Sequence, residues 1–137
     1  MFIAQKGQGA YQNNRRLRVA ARRDLADCLI GCGIPHLGNA KEHPRFVADL
    51  ATVMAKVSNL RRLGAAALDL CFVSAGSYDG FWERNMHAWD VAAGIIIVKE
   101  AGGFVTDADG GDEMLAKGSV CAGNEAIQRD LLNLIRT

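Results

Sequence analysis

The sequence predicts an α/β domain, with strands and buried helices arranged in layers. Three observations carry that prediction. Short stretches of period-2 hydrophobicity alternate with longer stretches of 3.6-residue spacing, as when strands and helices take turns along one chain. The helix predicted over 90–101 is apolar nearly all round, at Val91, Ala92, Ala93, Ile95, Ile96, Ile97 and Val98. A helix of that kind is buried between layers. Finally, 137 residues, half of them hydrophobic, suffice for one domain with its own core.

Each element follows from local signals. Met1 to Ala4 reads as extended, and Gly7-Gln8-Gly9 as a turn. Asn13-Asn14 is a second turn signal, and Arg16-Leu17-Arg18-Val19 alternates, so 11–20 has the pattern of a hairpin. Cys28 to Gly31 is a short buried strand stopped by Gly33 and Pro35. Phe46, Val47, Leu50, Val53, Met54 and Val57 recur at helical spacing over 45–57. Leu60 to Leu63 is extended, 64–75 is an Ala- and Leu-rich helix ending at Gly76, and 78–83 alternates as a strand. The 90–101 helix is closed by Gly102-Gly103. Phe104 to Thr106 and Gly118 to Ala122 are strands around a solvated turn at 107–112, and 125–136 is an amphipathic helix.

Composition excludes several classes of function. A net charge of +1 gives neither a nucleic-acid footprint nor an acidic tail. The longest apolar run, Val91 to Val98, is far shorter than the roughly 20 residues of a membrane span. No secretory h-region follows Met1. Cys28, Cys32, Cys71 and Cys121 form no C-x-x-C pair, so they read as buried free thiols in a reducing, cytoplasmic setting. The arginines at 15, 16, 18, 22 and 23 read as a solvated face, because no interleaved aromatics accompany them and Asp24 and Asp27 follow. His36, His43 and His87 show no metal spacing and read as structural.

The chemistry centres on Asp90, a carboxylate at the start of an apolar helix. One reading is an N-terminal cap that opposes the helix dipole and contributes about 1 kcal/mol. The other is a ligand for a hard metal ion, or a substrate-binding group beside a helix N-terminus. Spacing alone leaves both open. Glu83 ends a predicted strand seven residues earlier, where α/β sheets place ligand crevices. Gly64-Ala65-Ala66 opens a helix whose free N–H groups suit an anion or a hydroxyl. The run Asp107 to Glu113 fails the EF-hand pattern, since its glycine comes too early and its twelfth-position glutamate is missing.

The motif W89-D90-V91-A92-A93-G94, followed by E100-A101-G102-G103, resembles the second signature of the inositol monophosphatase family. The resemblance extends to K6-G7-Q8-G9-A10-Y11, which is similar to the family's K-G-x-G-A-[FY] hairpin. It extends also to R61-R62-L63-G64-A65-A66-A67-L68-D69-L70, similar to its R-R-x-G-[ST]-A-A-L-D-L helix start. The wording is nearest to bacterial members, including the extragenic-suppressor type.

The resemblance implies the C-terminal half of the layered α/β sandwich of that fold, a mixed sheet with buried helices, and Mg²⁺-dependent hydrolysis of a phosphate monoester, in proteins that are usually homodimers. It makes Asp90 a metal ligand that also touches substrate. It makes Glu83 the partner of a substrate hydroxyl, and the backbone of Gly64, Ala65 and Ala66 a substrate-binding turn. Ala65 stands where the family has Ser or Thr, so a contact through that hydroxyl is lost.

The family's first signature, D-P-x-D-G-T, and the glutamate upstream of it are absent from this sequence. The expectation is therefore a C-terminal half over 1–137, with 1–20 a remnant of the N-terminal sheet, 25–137 the C-terminal α/β part, and Met1 to Ala4 starting inside a strand. The expected function is a phosphatase acting on inositol 1-phosphate or a similar sugar phosphate, inactive as this chain alone. The alternative is a non-catalytic module that pairs with an N-terminal half or another partner. Neither a membrane nor a nucleic acid is an expected partner.

Overall fold

A computed structural model describes residues 1–34 and 37–136; the side chains of 37–39, Ala88 and Asp90 lie outside that description. His36, read from sequence as structural, also lies outside it.

The larger sheet has the order β5-β4-β6-β8-β7, formed by β4 (Leu29–Cys32), β5 (Asn59–Arg61), β6 (Gly80–Glu83), β7 (Phe104–Thr106) and β8 (Val120–Gly123). Strand β4 pairs in parallel with β5 on one side and β6 on the other, while β8 runs antiparallel to both β6 and β7. The two parallel crossovers from β4 to β5 and from β5 to β6 run through α1 (His43–Met54) and α2 (Ala66–Ser74). Helix α1 packs on one face of the sheet and α2 on the other, so the connections leaving the ends of the neighbouring strands β4 and β5 run to opposite faces, and this makes a topological switch point.

Alternation along the strands divides the core. On one face, Ile30, Cys32, Trp82 and Cys121 meet Val53 of α1 and Ile127, Leu131 and Ile135 of α5 (Glu125–Ile135). On the other, Phe81, Val120 and Ala122 meet Leu70 and Val73 of α2 and Val91, Ile95 and Val98 of α3 (Ala88–Glu100). Beyond α2 and α3 lies a second sheet, β1 (Phe2–Gln5), β2 (Gly9–Gln12) and β3 (Arg15–Arg16), all antiparallel. Its Ala10, together with Leu17 just past β3, packs on Cys71 of α2 and on Ile97 and Ala101 at the end of α3. The described chain is therefore layered helix, sheet, helix, sheet, the α/β arrangement expected.

Several boundaries moved for identifiable reasons. The Asn13-Asn14 turn takes φ of 49° and 70°, and asparagine tolerates that left-handed region. Strand pairing then stops at Arg16; Leu17 N–H still donates to Ala10, but Val19 N–H donates to Ala101 at the end of α3. Helix α1 begins earlier than predicted because Pro44 suits a first turn. Helix α2 begins later, since Gly64 has φ +82° and Ala65 is extended. A one-turn helix, α4 (Met114–Lys117), was not anticipated; Gly118 closes it at φ +67°.

Two expectations are corrected. Helix α3 is not buried all round, because Ala92, Ala93 and Ile96 are exposed. The turn at 107–112 is not simply solvated. Asp107 is fully buried and accepts from the N–H groups of Asp109 (2.8 Å), Gly111 (3.0 Å) and Glu113 (3.1 Å). Burial pushes its carboxyl upward, but those backbone donors and Lys117 outweigh it and hold the group below its usual range. The four cysteines are buried and free, as expected, and burial raises Cys28 to about 12 and Cys32 to about 11.

Candidate functional site

Parallel pairing brings three chain segments to one edge of the larger sheet. The carboxyl ends of β4, β5 and β6 point the same way. Gly33 follows β4, Gly64-Ala65-Ala66 follows β5, and Glu83 closes β6. Strand β8 enters at that edge with Val120 opposite Glu83, and Met86 N–H donates to Gly118 at 2.7 Å, so the segment leading into α3 is fixed there too. This edge lies at the switch point, the place where open α/β sheets form their ligand crevices.

Glu83 is half-buried, and its carboxylate lies over Gly33: a Cβ built on Gly33 would overlap Cδ and Oε1. The absence of a side chain at 33 thus sets where the carboxylate rests. Gly64 turns the chain with positive φ and open space beside its Cα. Ala65, at the N-cap of α2, contributes no side-chain cap, so the first-turn N–H groups of α2 are left for other acceptors. The missing hydroxyl at Ala65 therefore has a local consequence as well as the one expected for substrate contact.

Asp90 is the third residue of α3, at the N-terminal end expected for it; its side chain lies outside the described residues. Next to it, Trp89 is 79% exposed, with its ring stacked on His87 at 4.3 Å and 6°. Sequence reading gave neither ring a place at the site, and their stacking has no periodic signature.

Arg84, directly after Glu83, anchors the strand end. Its guanidinium bonds Asp49 of α1 at 2.8 Å and the Ile135 carbonyl at 2.8 Å, while Arg45 shares both partners. Asp49 is nearly fully buried, so two cations on one carboxylate tie β6, α1 and the end of α5 together behind the crevice. On the other side, Glu100 at the end of α3 accepts from Gly7 N–H (2.9 Å) and Gly9 N–H (2.8 Å), fixing the small sheet to α3. Both clamps were missed from sequence: the i,i+4 pair Arg45–Asp49 was a visible signal, whereas the contact between Glu100 and residues 7–9 spans the chain.

A magnesium ion asks for six oxygens in near-octahedral geometry. Among the described residues, no three His, Cys, Asp or Glu side chains converge where a metal ion would sit. The donors among the described residues therefore do not by themselves fit the ion, and the side chain of Asp90 lies outside that description.

The sequence profile of the inositol monophosphatase family matches residues 1–137. The inositol-1-monophosphatase of Mesorhizobium japonicum is 56% identical over 136 residues, covering 99% of this chain and 51% of that protein. The Nus factor SuhB of Pseudomonas aeruginosa is 42% identical over 136 residues, covering 98% of this chain and 50% of that one. Among solved structures, the extragenic suppressor protein suhB of Bartonella henselae superposes with a TM-score of 0.95 at 51% identity, over 99% of this chain and 52% of that one. The inositol monophosphatase of Anabaena does so at 0.91 and 35%, over 98% and 53%. The chain spans about half the length of these relatives, and it belongs to the inositol monophosphatase family.

Proposed function

We propose that the chain supplies the substrate-recognition half of a phosphate monoesterase acting on inositol 1-phosphate or a similar sugar phosphate. The observation that carries this reading is the convergence of Glu83, the uncapped start of α2 and the first turn of α3 on one sheet edge. Glu83, held over Gly33, accepts a hydrogen bond from a ring hydroxyl. The backbone of Gly64, Ala65 and Ala66 donates toward the anionic or hydroxyl groups of the substrate. Asp90 is a metal ligand that also faces substrate.

Mg²⁺ would supply charge neutralisation at the phosphate. Its remaining ligands come from a segment outside this sequence, so turnover belongs to the assembled protein and not to residues 1–137 alone. The strands of residues 1–20 form the surface on which that segment packs, and 25–137 holds the substrate side. A homodimer of the assembled protein, in the cytoplasm, completes the reading.

The test is phosphate release from inositol 1-phosphate in millimolar Mg²⁺. The 137-residue chain alone should release none. A protein carrying both halves should be active, and Asp90→Asn in it should abolish turnover while leaving the melting temperature close to native. Full activity in that variant refutes the assignment of Asp90. Activity in the isolated chain, lost on the same substitution, means that the metal site assembles another way.

A second reading is a non-catalytic module that pairs with a partner. It is favoured by the Nus-factor name carried by a relative at 42% identity and by the exposed arginines at 15, 16, 18, 22 and 23. RNA binding that disappears steeply with salt would be electrostatic attraction only. Binding that survives 200 mM salt would support the module.

A further inference from the structure

Asp69 lies one turn into α2, is fully buried, and has no hydrogen bond to either carboxylate oxygen. No other described side chain has buried polar atoms left in that state. A buried carboxyl without donors is far more costly ionised than neutral. Burial pushes this one up to about 6, and the Tyr78 hydroxyl offsets only part of the rise.

The groups facing Asp69 form the underside of the crevice. Tyr78, between α2 and β6, lays its ring over Gly31, where a Cβ would come within 2.5 Å of Cε2. Cys32, at the end of β4, feels the charges of both Asp69 and Glu83, with Arg62 opposing them; Arg61 acts likewise on Tyr78. Helix α3 meets α2 through an apolar contact, Leu70 against Gly94. Asp69 therefore sits between two walls. It shares α2 with the Gly64–Ala66 turn, and the Tyr78 ring next to it lies over Gly31 of β4, two residues before Gly33.

We propose that Asp69 is a positioning residue of the crevice: its protonated form holds the α2 turn against the end of β4 through Tyr78, and its ionisation loosens them. An ionised Asp69 needs a donor that the packed state lacks, so the cluster admits water or turns the Tyr78 hydroxyl onto the carboxylate. Either response moves α2 relative to β4. The consequence for substrate rests on the reading of this crevice as the substrate site; the test below does not.

The experiment is amide hydrogen exchange of the 137-residue chain from pH 5 to 8, corrected for intrinsic exchange, at residues 31–33 and 64–68. Native protection there should fall by about tenfold or more across that range, with little change elsewhere. Asp69→Asn keeps the shape and removes the charge, so protection in both segments should become independent of pH. Tyr78→Phe removes the nearest donor to the ionised form, so the transition should move to higher pH. Flat native protection overturns the proposal, as does an Asp69→Asn chain with the native slope or a Tyr78→Phe transition at lower pH. If Asp69→Asn does not fold, the native chain and Tyr78→Phe still decide. A crevice that fails to hydrolyse or bind phosphate monoesters would leave these exchange profiles as they are, so the two readings fail separately.

Discussion

The carboxylate of Glu83 occupies the space that a side chain at Gly33 would need. The first two atoms in the way belong to the far end of a flexible side chain, so the fold can accommodate Gly33→Ala by moving Glu83. The expected outcome is a small stability change, within about 1 kcal/mol. The proposed function gives Glu83 one charge-assisted hydrogen bond to a substrate hydroxyl, so on that reading a protein carrying both halves should show KM for inositol 1-phosphate raised by about tenfold or more, with kcat affected less. Steady-state kinetics beside a thermal melt would check this. A loss of stability with KM unchanged would mean that Gly33 serves packing only.

Asp49 carries two guanidiniums, and removing it leaves both beside a nearly dry wall of the core. Arg84 is 20% exposed and Arg45 35%, so water relieves part of the imbalance. Breaking a buried pair costs about 3–5 kcal/mol, and partial exposure puts Asp49→Ala near 3. Arg84→Met should cost less, because Arg45 stays on the carboxylate. Urea unfolding at pH 7 reads both. Equal costs would show that the second cation adds nothing.

Glu100 gives a pH signature of the opposite sign to Asp69. Its carboxyl is held below the usual range by the N–H groups of Gly7 and Gly9. A group depressed in the folded state stabilises above its unfolded value and loses that contribution as pH falls through the folded one. The melting temperature should therefore decline as acid protonates Glu100, and Glu100→Gln should flatten that part of the decline. The same variant should speed exchange at the Gly7 and Gly9 amides at neutral pH. Unchanged exchange at those amides would mean the small sheet is held to α3 by its apolar contacts alone.

Strand and helix order was legible in the sequence because hydrophobic period is a local property. Phe81 and Trp82 point to opposite faces as alternation requires, and the Asn13-Asn14 turn was marked by residue type. The sequence placed Asp90 at a helix start, and its backbone stands in the first turn of α3. What sequence could not show was who meets whom across the fold. The run Asp107 to Glu113 looked like any acidic turn, yet one of its carboxylates is the buried hub of the loop. Gly33 was read only as a strand stop, because the residue it makes room for lies fifty positions later. Asp69 was quoted inside a family motif without a role, since burial without a partner has no sequence signal.

Gly94 of α3 sits directly against Leu70 of α2, and this gives a test that composition would get backwards. In an isolated helix, replacing glycine with alanine stabilises by about 1 kcal/mol. Here a Cβ would lie 2.6 Å from Leu70 Cδ1 and 2.8 Å from Leu70 Cβ. The second of those atoms is fixed to the backbone of a fully buried residue, so rotamer change alone does not relieve the clash. Overpacking of this kind costs about 1–3 kcal/mol, and Gly94→Ala should be destabilising on balance. Leu70→Ala alone opens a cavity and should cost about 2–5 kcal/mol. Combined, the new methyl partly fills the space the leucine leaves, so the double variant should be more stable than the sum of the two losses predicts. A favourable coupling of about 0.5–3 kcal/mol in that cycle would establish direct contact as the cause. Additive losses would show instead that each change acts on its own helix, and that α3, with Asp90 four residues upstream of Gly94, is positioned from its other neighbours.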